Sequence, residues 1–226
     1  MVGTPAVAVT DMELCEHAQG DAAIGACGRL LILKPNDAAR YVRRGFHYAA
    51  KGDVDRAIAD FDQALRVNSV DASVWYARGM MYDRKGDPDH AIADYSRALT
   101  LNPKYQMALN NRGMAFSNMH DYVHAIADYD QAIGLNAKYW LAFVNRGIAY
   151  DKQGDHERAL ADYDKAIGIN PKYGPAHDSR AEALRGKGEY DRAVADYDEA
   201  LKLDPNDAGA REGREAALRE KANKKP

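Results

Sequence analysis

Apolar residues recur along this chain at three- and four-residue spacing, the mark of helices that bury one face. The clearest runs read A-I-A-D-Y-x-x-A-[LI], as at Ala91–Leu99. A second helical pattern and a short turn precede each such run. The combined unit returns every 34 residues, at Ala38–Asp71, Ala72–Tyr105, Gln106–Tyr139, Trp140–Tyr173 and Gly174–Asp207. A fixed period of this length predicts an all-α array of stacked antiparallel helix pairs. The turns read Gly-Asp at Gly52-Asp53, Gly86-Asp87 and Gly154-Asp155, and Gly188-Glu189 in the last unit. Glycine stops the first helix, and the acid suits the positive N-terminus of the second. His120 replaces the glycine once, which predicts a slightly altered turn there. Second helices end before Pro103, Pro171 and Pro205, since proline disfavours helix in the residue before it.

Aligned columns give each position a physical task. A small column, Gly45, Gly79, Gly113, Gly147 and Ala181, is expected to face the alanine column Ala57, Ala91, Ala125, Ala159 and Ala193, letting two backbones approach. An aromatic column runs Phe61, Tyr95, Tyr129, Tyr163 and Tyr197. Arg44, Arg78, Arg112, Arg146 and Arg180 match Asp60, Asp94, Asp128, Asp162 and Asp196, so a ladder of Arg–Asp pairs between first and second helices is expected.

These residues resemble the tetratricopeptide repeat family over Ala38–Asp207. The family's tryptophan place holds Tyr41, Trp75, Leu109, Phe143 and His177, and its leucine place holds the arginine column. The resemblance implies a right-handed superhelical solenoid whose first helices line a concave inner face, where partners bind as extended or helical peptides. Five repeats are expected, flanked by helical caps at 11–37 and 208–226, with 1–10 lacking regular structure. The lysine-containing stretch Ala222–Pro226 is expected to fray.

The inward columns can be read from the repeat. One is an apolar stripe, Phe46, Met80, Met114 and Ile148, which ends in Glu182. Beside it stand Val42, Tyr76, Asn110, Val144 and Asp178. One turn on lie Asp83, Ser117, Asp151 and Arg185, with Arg84, Asn118 and Lys152 adjacent. An adaptable apolar stripe with polar rims is what a peptide groove requires; the plainer reading is that these side chains fill gaps between first helices. Asn111 and Asn145 match the asparagines with which family members grip a ligand backbone. The family's two-carboxylate clamp is absent, because its lysine places are filled by Val42 or Tyr76 and Met107 or Leu141.

Composition removes other classes. A net charge of −3 gives no electrostatic case for nucleic acid. No run of about 18 apolar residues is present to span a membrane. There is no glycine-rich phosphate loop, no G-x-S-x-G elbow and no zinc-binding histidine pair with its glutamate; His120 and His124 share only the spacing. No enzyme, cofactor or metal is therefore expected. The chain reads as a scaffold for a protein or peptide partner, with self-assembly through its ends or outer face as the alternative. Cys15 and Cys27 are the only cysteines and fall on facing helices of the N-terminal hairpin. Either they are free buried thiols, or they form a disulfide that implies an oxidising compartment. Met1–Val9 lacks the charged start and apolar centre of a leader. The compartment thus stays open between cytoplasm and, for a bridged chain that has lost a leader, the periplasm or exterior.

Overall fold

The computed structural model describes residues 5–224, with side chains from Thr10 onward. Among these residues there are thirteen α-helices and no strand. They form two compact units dividing between Ala115 and Phe116. The first holds α1 (Pro5–His17), α2 (Gly20–Leu33), α3 (Ala38–Ala50), α4 (Val54–Val67), α5 (Ala72–Lys85), α6 (Pro88–Leu101) and most of α7 (Gln106–Asn118). The second holds α8 (Tyr122–Leu135), α9 (Trp140–Lys152), α10 (His156–Ile169), α11 (Gly174–Gly186), α12 (Tyr190–Leu203) and α13 (Ala208–Asn223).

Both ends are more helical than the sequence pattern predicts. α1 is helical from Pro5 onward, inside the stretch expected to lack structure. Met1–Thr4 lies outside the described residues. At the other end, Lys224 is docked rather than frayed: its ammonium lies 5.1 Å from the Tyr190 ring centroid. Lys225 and Pro226 lie outside the described residues.

Aspartates start the helices. The side chains of Asp53, Asp87, Asp121 and Asp155 accept the backbone N–H of Arg56, His90, His124 and Arg158, three residues on. At the turns Gly52, Gly86 and Gly154 take φ of 78°, 76° and 82°. His120 takes φ 63°, so the expected alteration does not occur. The closing bond is also unchanged: Asp121 N–H donates to the Phe116 carbonyl at 2.9 Å, as Asp155 N–H does to that of Tyr150. The turn geometry overrides the residue, and histidine bears the left-handed strain.

The small column works differently from the expectation. A Cβ added at Gly79 would stand 2.7 Å from the Tyr95 ring, and one at Gly147 2.6 Å from that of Tyr163. The glycines thus make room for the aromatic column of the second helix, while the alanine column is buried beside it. Tyr95, Tyr129, Tyr163 and Tyr197 are almost completely buried.

The arginine ladder is present in each unit and is wider than the sequence pairing implies. In the first, Arg44 and Arg78 bind Asp60 and Asp94 through two parallel bonds each, all at 2.7 Å. In the second, Arg146 and Arg180 do the same with Asp162 and Asp196 at 2.6–2.7 Å. The third guanidinium nitrogen reaches back to the preceding second helix: Arg180 to Asp164 at 2.6 Å, and Arg112 to Ser96 at 3.0 Å. Arg214 of α13 takes the same role with Asp198 at 2.6 Å. The rungs at Arg78, Arg146 and Arg180 therefore tie a repeat internally and to its predecessor.

Candidate functional site

In the first unit the first helices lie side by side. Arg84 of α5 donates to the Ala49 carbonyl of α3 at 3.1 Å, and Asn111 of α7 donates to the Tyr76 hydroxyl of α5 at 3.1 Å. On this face Phe46 and Met114 are 47% and 41% exposed. Phe46 stands edge-on to Phe61, centroids 5.3 Å apart. Met80 is only half-exposed and packs on the core shared by α3, α4 and α5. Tyr76 lies against Tyr105 and Tyr95, at 4.8 and 5.7 Å. The Tyr95 hydroxyl donates to Asp83, whose carboxyl burial holds above the usual range. A cleft of about 660 Å³ opens beside Val42, Phe46 and Val74, rimmed by Arg43 and Asp71.

Asn110 departs from its expected place. It is 1% exposed, its amide donating to Asn111 and to the Met114 sulfur, so it cannot touch a ligand in the groove. Asn111 is likewise committed to Tyr76 and Asn110, and reads as the brace that orients α7 against α5. The period places these residues on a first helix but does not set their depth. Depth depends on how far one first helix slides over the next.

In the second unit Ile148 is 36% exposed, Asn118 and Lys152 are exposed, and Asn145 is half-buried. Asp151 accepts the Tyr163 hydroxyl at 2.8 Å and contacts His156 Nδ1 at 2.9 Å. Tyr197 donates to Glu182 at 2.7 Å. In both units, therefore, buried tyrosines of second helices push their hydroxyls through to acids on the first-helix face, and burial beside those acids holds the phenols of Tyr95 and Tyr163 protonated. This link escaped the sequence reading. Its trace was the acid or serine column at Asp83, Ser117 and Asp151, one turn beyond the stripe. A second cleft, of about 350 Å³, lies between α9, α10 and α11.

Other candidate chemistry resolves into structure. His90 and His124 contact the capping carboxylates Asp87 and Asp121 at 2.7 Å. Among the described residues no group of three His, Cys, Asp or Glu converges as metal ligands would, and no helix is long and apolar enough to cross a membrane. Cys15 and Cys27 are bonded to each other, and with Ala26 and Leu30 they make up the small core of the α1–α2 hairpin.

Helix pairs repeated in register, with apolar side chains exposed on first helices, define a helical-repeat scaffold. The chain belongs to the tetratricopeptide repeat family: models of that repeat match residues 42–106, 108–139, 140–173 and 174–207. Among solved structures, MamA is similar at 30% identity over 73% of this chain and 96% of its own, with a TM-score of 0.66. YrrB, described as a TPR protein with an unusual peptide-binding site, is 20% identical over 85% of this chain and all of its own, with a TM-score of 0.68. A tetratricopeptide repeat protein from Parabacteroides merdae is 18% identical over 94% and 97%, with a TM-score of 0.72. At such identities the last two establish the fold alone. Comparison with curated proteins finds no match.

Proposed function

We propose that this chain is a non-catalytic adaptor that holds a peptide segment of a partner protein against its first-helix faces. The observation that carries the reading is the exposure of Phe46 and Met114 in the first unit and Ile148 in the second. Exposed apolar side chains aligned on one face, beside a cleft, mark an interaction surface. YrrB, with the same fold, has a peptide-binding site, and the analogy supports the reading without naming a ligand. Arg84, Asn118 and Lys152 rim the faces and supply polar contacts; Tyr76 and Asn111 hold the helices in position.

The test pans a peptide-display library over the wild-type chain, then over Met114→Glu and Ile148→Glu. Met80 is left alone, because a charge there would enter the core. Each exposed charge should weaken selected peptides at least tenfold while helicity is unchanged. Equal binding by both variants would refute the reading. The alternative, self-assembly, is favoured by Ile32 and Leu33 at the end of α2, which are 81% and 70% exposed. It requires light scattering that rises with concentration and falls in Ile32→Glu.

A further inference from the structure

The inner face of the second unit changes character at its fifth repeat. Where the other repeats carry Phe46, Met80, Met114 and Ile148, α11 carries Glu182; where they carry Val42, Tyr76, Asn110 and Val144, it carries Asp178. Two acids four residues apart on one helix face repel and weaken that helix. The cleft of about 350 Å³ between α9, α10 and α11 is lined by both acids, by Asp151 across from them, and by the apolar Ile148 and Ala183. Lys152 and His156 also line it, and His156 is bonded to Asp151.

The partners of these acids differ. Asp151 is held by Tyr163 and His156, and Glu182 by Tyr197 and Arg185. Asp162 and Asp196, deeper in the unit, each have an arginine. The Asp178 side chain is half-buried and has no hydrogen-bond or ion-pair partner among the described residues. Burial, followed by the nearby charges of Asp207 and Glu182, holds its carboxyl above the usual range. A partly desolvated carboxylate among other carboxylates is poorly placed in the free protein, and a cation would relieve it.

We infer that this cleft takes a lysine or arginine side chain of the bound segment against Asp178 and Glu182, with an aliphatic neighbour of that residue lying on Ile148. The occupant is thus a basic–aliphatic peptide, as charge complementarity to the acid pair requires. The inference rests on the peptide-binding reading and adds its chemical class. Within the second unit, repeat five would set the register of the segment, because the Asp178 side chain is the acid of this cleft without a partner.

The probe is a positional library of acetylated, amidated heptapeptides, screened on the full chain and on Asp178→Asn and Asp178→Val. The second substitution installs the residue type that Val144 already provides in the preceding repeat, so α11 should fold with it; circular dichroism checks this. The wild type should enrich lysine or arginine beside a leucine or isoleucine. Both variants should lose the basic preference about tenfold, as expected for one charged hydrogen bond, and keep the aliphatic one. Enrichment for aliphatic residues with no basic preference, or a basic preference that survives both variants, overturns this inference alone. A library flat at every position overturns it together with the peptide-binding reading.

Discussion

Replacing Arg146 by methionine tests the ladder. The substitution removes a guanidinium that binds Asp162 through bonds of 2.7 and 2.6 Å and reaches Asp130 as well. Asp162 is 5% exposed, so losing its partner strands a carboxylate where water cannot replace it. Breaking a buried pair from one side costs about 3–5 kcal/mol. The rung to Asp130 adds little, because that side chain is 52% exposed and such pairs are worth under about 1 kcal/mol. Burial lifts the Asp162 carboxyl above its usual range against the pull of Arg146, so desolvation already offsets much of the pair's attraction. Arg146→Met should therefore lower the urea midpoint by about 1–3 M, followed by far-ultraviolet circular dichroism. Arg146→Met with Asp162→Leu should recover most of that loss, with a coupling energy of about 3 kcal/mol in the double-mutant cycle. A single substitution costing under about 1 kcal/mol, or a double variant costing the sum of the two singles, would refute the reasoning.

Two further outcomes follow from the turns. At His120, φ 63° strains any side chain, so His120→Gly should be more stable than His120→Ala by about 1 kcal/mol in urea titration; an equal or reversed order would show that the turn relaxes. At Asp155, hydrogen bonds from the Arg158 backbone and then its side chain hold the carboxyl below its ordinary 3.8. A lowered folded-state value gives stability that is complete above the ordinary 3.8 and lost as pH falls from there through the folded-state value. Asp155→Asn retains a capping side chain without the titration, so its melting temperature should fall less steeply than the wild type's below pH about 4. Parallel acid limbs would refute the assignment.

Much of this protein could be read from its sequence, because every 34 residues the same physical problem is solved again. Repetition exposes which positions tolerate no change: Asp94 and Asp162 must face Arg78 and Arg146 whatever surrounds them, and the aromatic column must find room. The sequence by itself determined the helix pairs, their turns and the ladder's inner rungs. Tertiary structure decided what depends on sliding one repeat over the next. It buried Asn110, committed Asn111 to Tyr76, gave Arg78, Arg146 and Arg180 a second partner in the preceding repeat, and left the Asp178 side chain unpaired at the rim of a cleft. The physical reason is that a column in a sequence fixes direction around a helix, whereas exposure and partnership are set by shifts between helices of an ångström or two, which no periodicity encodes.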